Sequence, residues 1–200
     1  ELFQVNADFE PVLDDSTGAI TGIVTAPYID GGRYQFGLDD NTDGVVVDNG
    51  SNTYGYTPEL GDSVIVYGRI AFFRGLIQFR PDSITLIDSN KMVPAPRPVS
   101  ALNEDTEGDL IRLDSVQLVD PSEWDGNGND FNVEVTNGTD TFTVRIWANA
   151  GGLSSQPAPR GRFDLIGIGG QFDSNAPYDE GYQILPRFPA DVQPIAGALA

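Results

Sequence analysis

The chain has 200 residues, 40% of them apolar, with 23 Gly and 14 Pro, a composition that excludes wholesale disorder and favours strands and turns over helices. Thirty acidic residues face 11 basic ones for a net charge of −19, which predicts repulsion from phosphate backbones and anionic membranes. Cysteine and histidine are both absent, which excludes disulfides, thiolate chemistry, Ser-His-Asp triads and histidine metal sites.

No run reaches the roughly 18 apolar residues of a membrane-crossing helix. The sequence starts at Glu1 without a secretory signal, as expected of a processed product or of a piece of a longer protein. Residues 1–17 read as an extended leader with scattered apolar positions (Phe3, Val5, Phe9, Val12) and no helical period.

A first module is expected over 18–91. Residues 19–25 are β-rich and end at Pro27, 34–38 alternate with period two, and 45–47 resume pairing after an Asp/Asn/Gly turn. Strands over 63–73 and 76–88 follow, joined by a tight hairpin at Arg74-Gly75. Alternating prolines over 92–99 read as a stiff linker.

A second module is expected over 100–195, with one short helical turn inside 100–108. Its strands are placed at 110–119, 131–136 and 141–147, the last two forming a hairpin across Asn137-Gly138. Residues 196–200 are a C-terminal tail.

The two modules share a pattern. Gly61-Asp62-Ser63-Val64-Ile65-Val66-Tyr67-Gly68 leads to Gln78-Phe79-Arg80-Pro81-Asp82, and Gly161-Arg162-Phe163-Asp164-Leu165-Ile166-Gly167 leads to Gln183-Ile184-Leu185-Pro186-Arg187. Such repetition argues for two copies of one unit. Five short strands per unit suit a Greek-key barrel of the oligonucleotide/oligosaccharide-binding (OB) type, with a β-sandwich as the alternative. The fold class expected is therefore all-β, two tandem OB-like modules. The segments Gly22-Ile23-Val24-Thr25-Ala26-Pro27, Asp40-Asn41-Thr42-Asp43-Gly44-Val45-Val46-Val47 and Gly61 to Gly68 resemble the OB-fold-like modules of secreted bacterial proteins. Modules of that kind accompany extracellular nucleases and surface proteins of the Bacteroidota. The resemblance implies export, an extracellular or cell-surface location and a non-catalytic role.

Nothing in the sequence assembles a catalytic site. Lys91, the single lysine, has no Ser-x-x-Lys context, and Gly31-Gly32-Arg33 and Gly151-Gly152-Leu153 lack the Lys-Ser/Thr of a phosphate loop. With 30 acids, a pair of carboxylates for glycosidase chemistry discriminates nothing. No enzyme activity and no cofactor are expected.

Calcium is the one ion that the loops suggest. Asp39, Asn41 and Asp43 alternate before a Gly, as do Asp125, Asn127 and Asn129 in a second loop, yet a calcium loop's twelfth-position Glu is replaced by Gly50 in the first. Turn chemistry is the leading reading of both loops, as it is of the Asn49-Gly50-Ser51 and Asn137-Gly138-Thr139 triplets. Among the aromatics, Tyr54, Tyr56, Trp124 and Tyr178 fall in loops and suit a sugar platform. Phe72, Phe73, Phe79, Phe163 and Trp147 fall in strands and suit the core.

Taken alone, these residues lead to an exported structural protein that assembles with itself into a filament or layer, the leader adding a strand to a neighbour through Phe3, Val5, Phe9 and Val12. The alternative is a carbohydrate- or calcium-binding accessory module of a larger secreted enzyme. Partners expected are a second copy of the chain or a polysaccharide, with nucleic acid and membrane insertion excluded.

Overall fold

A computed structural model describes residues 3–30, 32–148 and 151–195. The tail expected over 196–200 lies outside them. The chain is all-β.

Five strands form the first barrel: β1 (Thr17–Ala26), β2 (Gln35–Asp39), β3 (Gly44–Asp48), β4 (Ser63–Phe73) and β5 (Leu76–Asp88). They close in the order β1-β2-β3-β5-β4, with β3 and β5 parallel and the other pairs antiparallel. A closed ring has no edge strands to protect, and its order is that of an OB-like Greek-key barrel rather than a sandwich. Phe73 pairs with Leu76 across Arg74-Gly75, the hairpin that the sequence marks.

β6 (Arg97–Val99) runs parallel to β7 (Leu110–Leu118). The stretch expected as a linker over 92–99 therefore ends inside a sheet; Pro98 sits on its edge strand, where a missing N–H leaves no partner unsatisfied. β8 (Phe131–Thr136), β9 (Thr141–Ile146), β10 (Phe163–Gln171), β11 (Tyr182–Leu185) and β12 (Val192–Pro194) complete the second unit. Its sheet order is β12-β10-β11-β9-β8-β7-β6, and a further β10–β7 pairing closes the ring β7-β8-β9-β11-β10. Here too the third and fifth ring strands, β9 and β11, are parallel.

The repeat is exact enough to compare by register. Gln78 lies opposite Val46 on the parallel pair of the first barrel, and Gln183 lies opposite Thr143 on that of the second. Gly61 and Gly161, which lead the repeated motif, both adopt the left-handed region, with φ of 84° and 67°, where a side chain would be strained.

Each barrel has its own core. Phe36, Leu38, Val47, Val66, Ile70 and Phe79 fill the first; Leu113, Val133, Val144, Phe163, Leu165 and Ile184 are among those filling the second. A third cluster joins them, with Ala26, Ile29, Val46 and Leu76 from one barrel against Leu110, Ile166, Ile168 and Leu185 from the other. This explains the unbroken Val45-Val46-Val47 run. Val45 and Val47 point into their own barrel while Val46 faces the neighbour, so the strand is buried on both faces. Burial of side chains this size contributes about 1.5–3 kcal/mol each, which fixes the two barrels against one another.

Polar contacts set the join. Arg187 and Asp191 are buried and paired twice, Nε to Oδ2 at 2.9 Å and Nη2 to Oδ1 at 2.7 Å, while Arg187 Nη1 donates to the Thr25 carbonyl of the first barrel at 2.5 Å. Gly44 N–H donates to Asp109 Oδ1 at 2.7 Å. A Cβ on Gly44 would lie 2.2 Å from the Gly108 carbonyl oxygen, so only glycine allows this approach.

The leader folds back on its own chain. Phe3 and Val5 are partly buried against the first core, Val5 bridges Pro11, and Ser16 and Asp15 exchange backbone hydrogen bonds with Ile70. The Asp8 carbonyl accepts from Tyr178 N–H of the second barrel at 3.1 Å. Phe9 is half-buried and Val12 is 57% exposed.

Candidate functional site

A cleft of about 290 Å³ lies between the barrels. On the first barrel it opens on β2, β3 and β5, flanked by the β1–β2 loop and the β4–β5 hairpin. On the second it meets the ends of β9, β10 and β11.

Asp48, at the end of β3, organises the first wall. Its Oδ2 accepts from Gln35 Nε2 at 2.8 Å and Arg33 Nε at 2.9 Å, and its Oδ1 from Arg33 Nη2 at 2.5 Å and Gly50 N–H at 3.0 Å. The carboxylate is 4% exposed and fully engaged in holding its neighbours. In return its hydrogen bonds hold the Arg33 guanidinium above its ordinary pKa, so Arg33 is a permanent cation at the mouth. Gln78 is buried beside them on β5.

The opposite wall carries two unpartnered polar atoms. Gln171 is 3% exposed; its Nε2 donates to the carbonyls of Tyr178 at 2.8 Å and Glu180 at 2.9 Å, which fixes the amide. Its Oε1 is buried and finds no donor among the described residues. The same holds for the indole Nε1–H of Trp147, whose ring lies 4.0 Å beneath the Arg145 guanidinium. A buried polar group left unpaired costs about 1–3 kcal/mol, and both atoms lie beneath the cleft surface, with no accessible area of their own. At the rim, Phe73 and Phe172 meet edge to face at 6.4 Å, both 55% exposed, with the Arg74 guanidinium 5.0 Å from the Phe172 ring. Apolar walls, fixed amides and exposed rings are equipment for binding.

A second, acidic cavity of about 550 Å³ lies between the barrels, lined by Phe3, Val5, Asp43, Glu104, Glu107 and Asp109 among others. Glu107 encloses one oxygen, Oε1, with no partner. Desolvation first, then the charge of Glu104, pushes its pKa up to about 9. Glu104 is itself raised by burial.

Of the residues expected to hold calcium, Asp39, Asp125, Asn127 and Asn129 bond within their own loops, while Asp43 lines the acidic cavity. Asp39 Oδ1 accepts the Asn41 N–H at 2.6 Å, and Asp40 Oδ1 accepts those of Thr42 and Asp43. Asn127 and Asn129 each donate a side-chain amide to Asp125, at 3.0 Å and 3.0 Å, and these bonds hold its pKa below the ordinary carboxylate value. No group of three or more acidic side chains that could hold a metal ion occurs among the described residues. Phe3, Val5, Phe9 and Val12 are not brought to a common surface, since the first two pack on the barrel.

The aromatic assignment is corrected at several positions. Trp124, expected as exposed, is buried in the second core with its Nε1 donating to the Gln156 carbonyl at 2.7 Å. Tyr54 and Tyr56 pack on the first core, their hydroxyls bonded to the Pro81 carbonyl and Asp62, and Tyr178 packs on Phe72 at 4.9 Å. Phe73 and Trp147, expected as core, line the cleft. Phe73 is the last residue of β4 and Trp147 lies one past the end of β9, where the chain leaves the barrel wall. Gln78 and Gln183 were visible as the repeated glutamine, whereas nothing local singles out Gln35 or Gln171.

No protein-family model matches the chain. It is 27% identical over 192 residues to the endonuclease YhcR of Bacillus subtilis (strain 168), covering 87% of this chain but 14% of that protein's length. Among solved structures it resembles the p204 HINb domain (TM-score 0.42, 10% identity, 86% of this chain and 93% of that one). It also resembles a murine DNA-binding protein solved with double-stranded DNA (TM-score 0.41, 10% identity, 84% and 95%). A third is the single-stranded DNA binding protein of Thermus aquaticus (TM-score 0.29, 13% identity, 94% and 97%). These are likenesses of fold. The exclusion of nucleic acid as a partner is corrected, because the chain's relative is an endonuclease. That exclusion rested on charge summed over the whole chain; at the cleft itself Arg33 and, at the rim, Arg74 stand beside Asp30 and Asp48, so the two signs are balanced there.

Proposed function

We propose that the chain is a non-catalytic binding region of a longer, nuclease-type protein, and that it holds single-stranded nucleic acid at the cleft between its barrels. The observation that carries this reading is where the cleft opens. It lies on the second and third strands of the first barrel, between the first loop and the β4–β5 hairpin, the face by which such barrels take oligonucleotides and oligosaccharides. The endonuclease relative supports the nucleic-acid alternative, and the chain's coverage of 14% of that protein fits an accessory region.

A chain of net charge −19 cannot gain its affinity from many phosphates. The contact is through bases, with at most Arg33 and Arg74 near the backbone. For one or two phosphates, log K falls with log salt at a slope of about −0.7 to −1.4. Fluorescence anisotropy of labelled single-stranded oligonucleotides across a salt series tests this: shallow salt dependence is expected, and absence of binding at low salt defeats the reading. The leader's contacts within its own chain favour this role over assembly, because Phe3 and Val5 already have a core to pack on.

A further inference from the structure

We infer that the cleft takes the ribose of a nucleotide, with its hydroxyls against the amides of Gln78 and Gln183, so that RNA is preferred to DNA; this rests on the nucleic-acid reading above. Period-two geometry puts both glutamines there. On β5, Ile77 and Phe79 point into the first core, while Leu76 and Gln78 face the second barrel. On β11, Ile184 points into the second core, while Gln183 and Leu185 face the first barrel. Each strand therefore gives one leucine to the dry join and, two residues away, one glutamine to the cleft. Gln78 is 6% exposed and its amide has no hydrogen-bond partner among the described residues, yet neither of its polar atoms is sealed from the surface. The Gln183 amide is likewise open and unpaired among the described residues. Amides held this way, at the edge of an apolar join, are placed to bond what enters the cleft.

The chemistry of the cleft selects the sugar. Arg33 is paired with Asp48, and Asp30 stands beside them, so a phosphate entering here would meet at least as much negative charge as positive. The rings open to stacking lie at the rim, where Phe73 and Phe172 are each 55% exposed; deeper in, the Trp147 ring is covered by the Arg145 guanidinium at 4.0 Å. A base stacked on the rim rings leaves its own sugar facing the cleft. The volume of about 290 Å³ lies just below the roughly 300–1,000 Å³ typical of ligand pockets, room for one furanose. A hydroxyl both donates and accepts, and so does a glutamine amide. The 2′-hydroxyl, which DNA lacks, thus finds both of its needs met. Neither barrel makes this site alone: one repeated glutamine comes from each.

The test uses the whole 200-residue chain and two labelled strands, oligouridylate and oligodeoxyuridylate, which differ only at the 2′ position. In fluorescence anisotropy the RNA is expected to bind roughly tenfold more tightly, a factor equivalent to about 1.4 kcal/mol. Gln78→Leu and Gln183→Leu are each expected to lower RNA affinity towards that of the DNA and to leave DNA binding unchanged. If either variant fails to fold, 2′-O-methyl RNA on the native chain decides: affinity like that of DNA supports the ribose contact, and affinity like that of unmodified RNA overturns it. Equal binding of RNA and DNA overturns the inference and leaves the proposed function standing. No binding of either strand overturns both. An RNA preference that survives both substitutions overturns the role of the glutamines, and displacement of the RNA by neutral maltohexaose overturns the assignment to a nucleotide.

Discussion

The two barrels close by the same strand order and place a glutamine at the same register, yet they treat the residues that follow it differently. In the first barrel, Arg80 after Phe79 is exposed. In the second, Arg187 after Pro186 is 8% exposed, locked to Asp191 and donating across the join to Thr25. The hairpin after β4 is a tight Arg74-Gly75 turn, while the segment after β10 runs through Phe172 to Gly181 and reaches the leader at Asp8. Duplication therefore supplied two scaffolds, and divergence at strand ends made one barrel the face of the cleft and the other its back wall.

The largest effect that would break this comparison is loss of the buried pair. Arg187→Ala leaves Asp191 buried and unpaired, and about 3–5 kcal/mol of destabilisation is expected in urea unfolding. Arg80→Ala is expected within about 0.5 kcal/mol of the parent. Equal costs would mean that the motif arginines are equivalent after all.

Next is the close approach of the barrels. Gly108 has φ of 74°, and a Cβ there would lie 2.4 Å from the Gly44 carbonyl oxygen. Gly108→Ala is expected to cost about 1–3 kcal/mol, and to loosen the join so that protease cleaves between the modules before either barrel is degraded. An intact interface in limited proteolysis would count against it.

Glu107 sharpens the comparison by pH. Its folded pKa of about 9 stands above the ordinary value of 4.5, so the folded chain holds a proton that the unfolded chain releases. Its contribution is fully present below about pH 4.5 and is lost as pH rises through about 9. Melting temperature is expected to fall across that window, with a slope of up to about 1.4 kcal/mol per pH unit from this group. Glu107→Gln should flatten it; an unchanged slope would place the cause elsewhere. The smallest effect is at the surface, where Arg112→Ala removes the exposed pair with Asp114 and is expected to change stability by less than about 1 kcal/mol.

Much of the architecture is legible in the residues. Alternation locates β2, Arg74-Gly75 and Asn137-Gly138 locate two hairpins, and the Gly-strand–Gln-strand repeat announces two units. The candidate site is legible only in part. Gln78 and Gln183 stand out as repeats, but Trp147 reads as core and Trp124 as surface, and the structure reverses both. Each is a matter of which side chain a distant segment covers: Leu153 and Phe163 join the core around Trp124, while nothing described satisfies the Trp147 indole.

By itself, then, the sequence determined strand positions, turn chemistry and the number of units, because these depend on backbone angles and period-two burial within a few residues of one another. Only the tertiary structure decided that the barrels press together through Val46 and Ile168, that Arg187 is buried, and that four glutamines far apart in the chain share one cleft. Those outcomes depend on surfaces that meet only after each barrel has closed, and no local pattern of residues encodes the partner that a face will find.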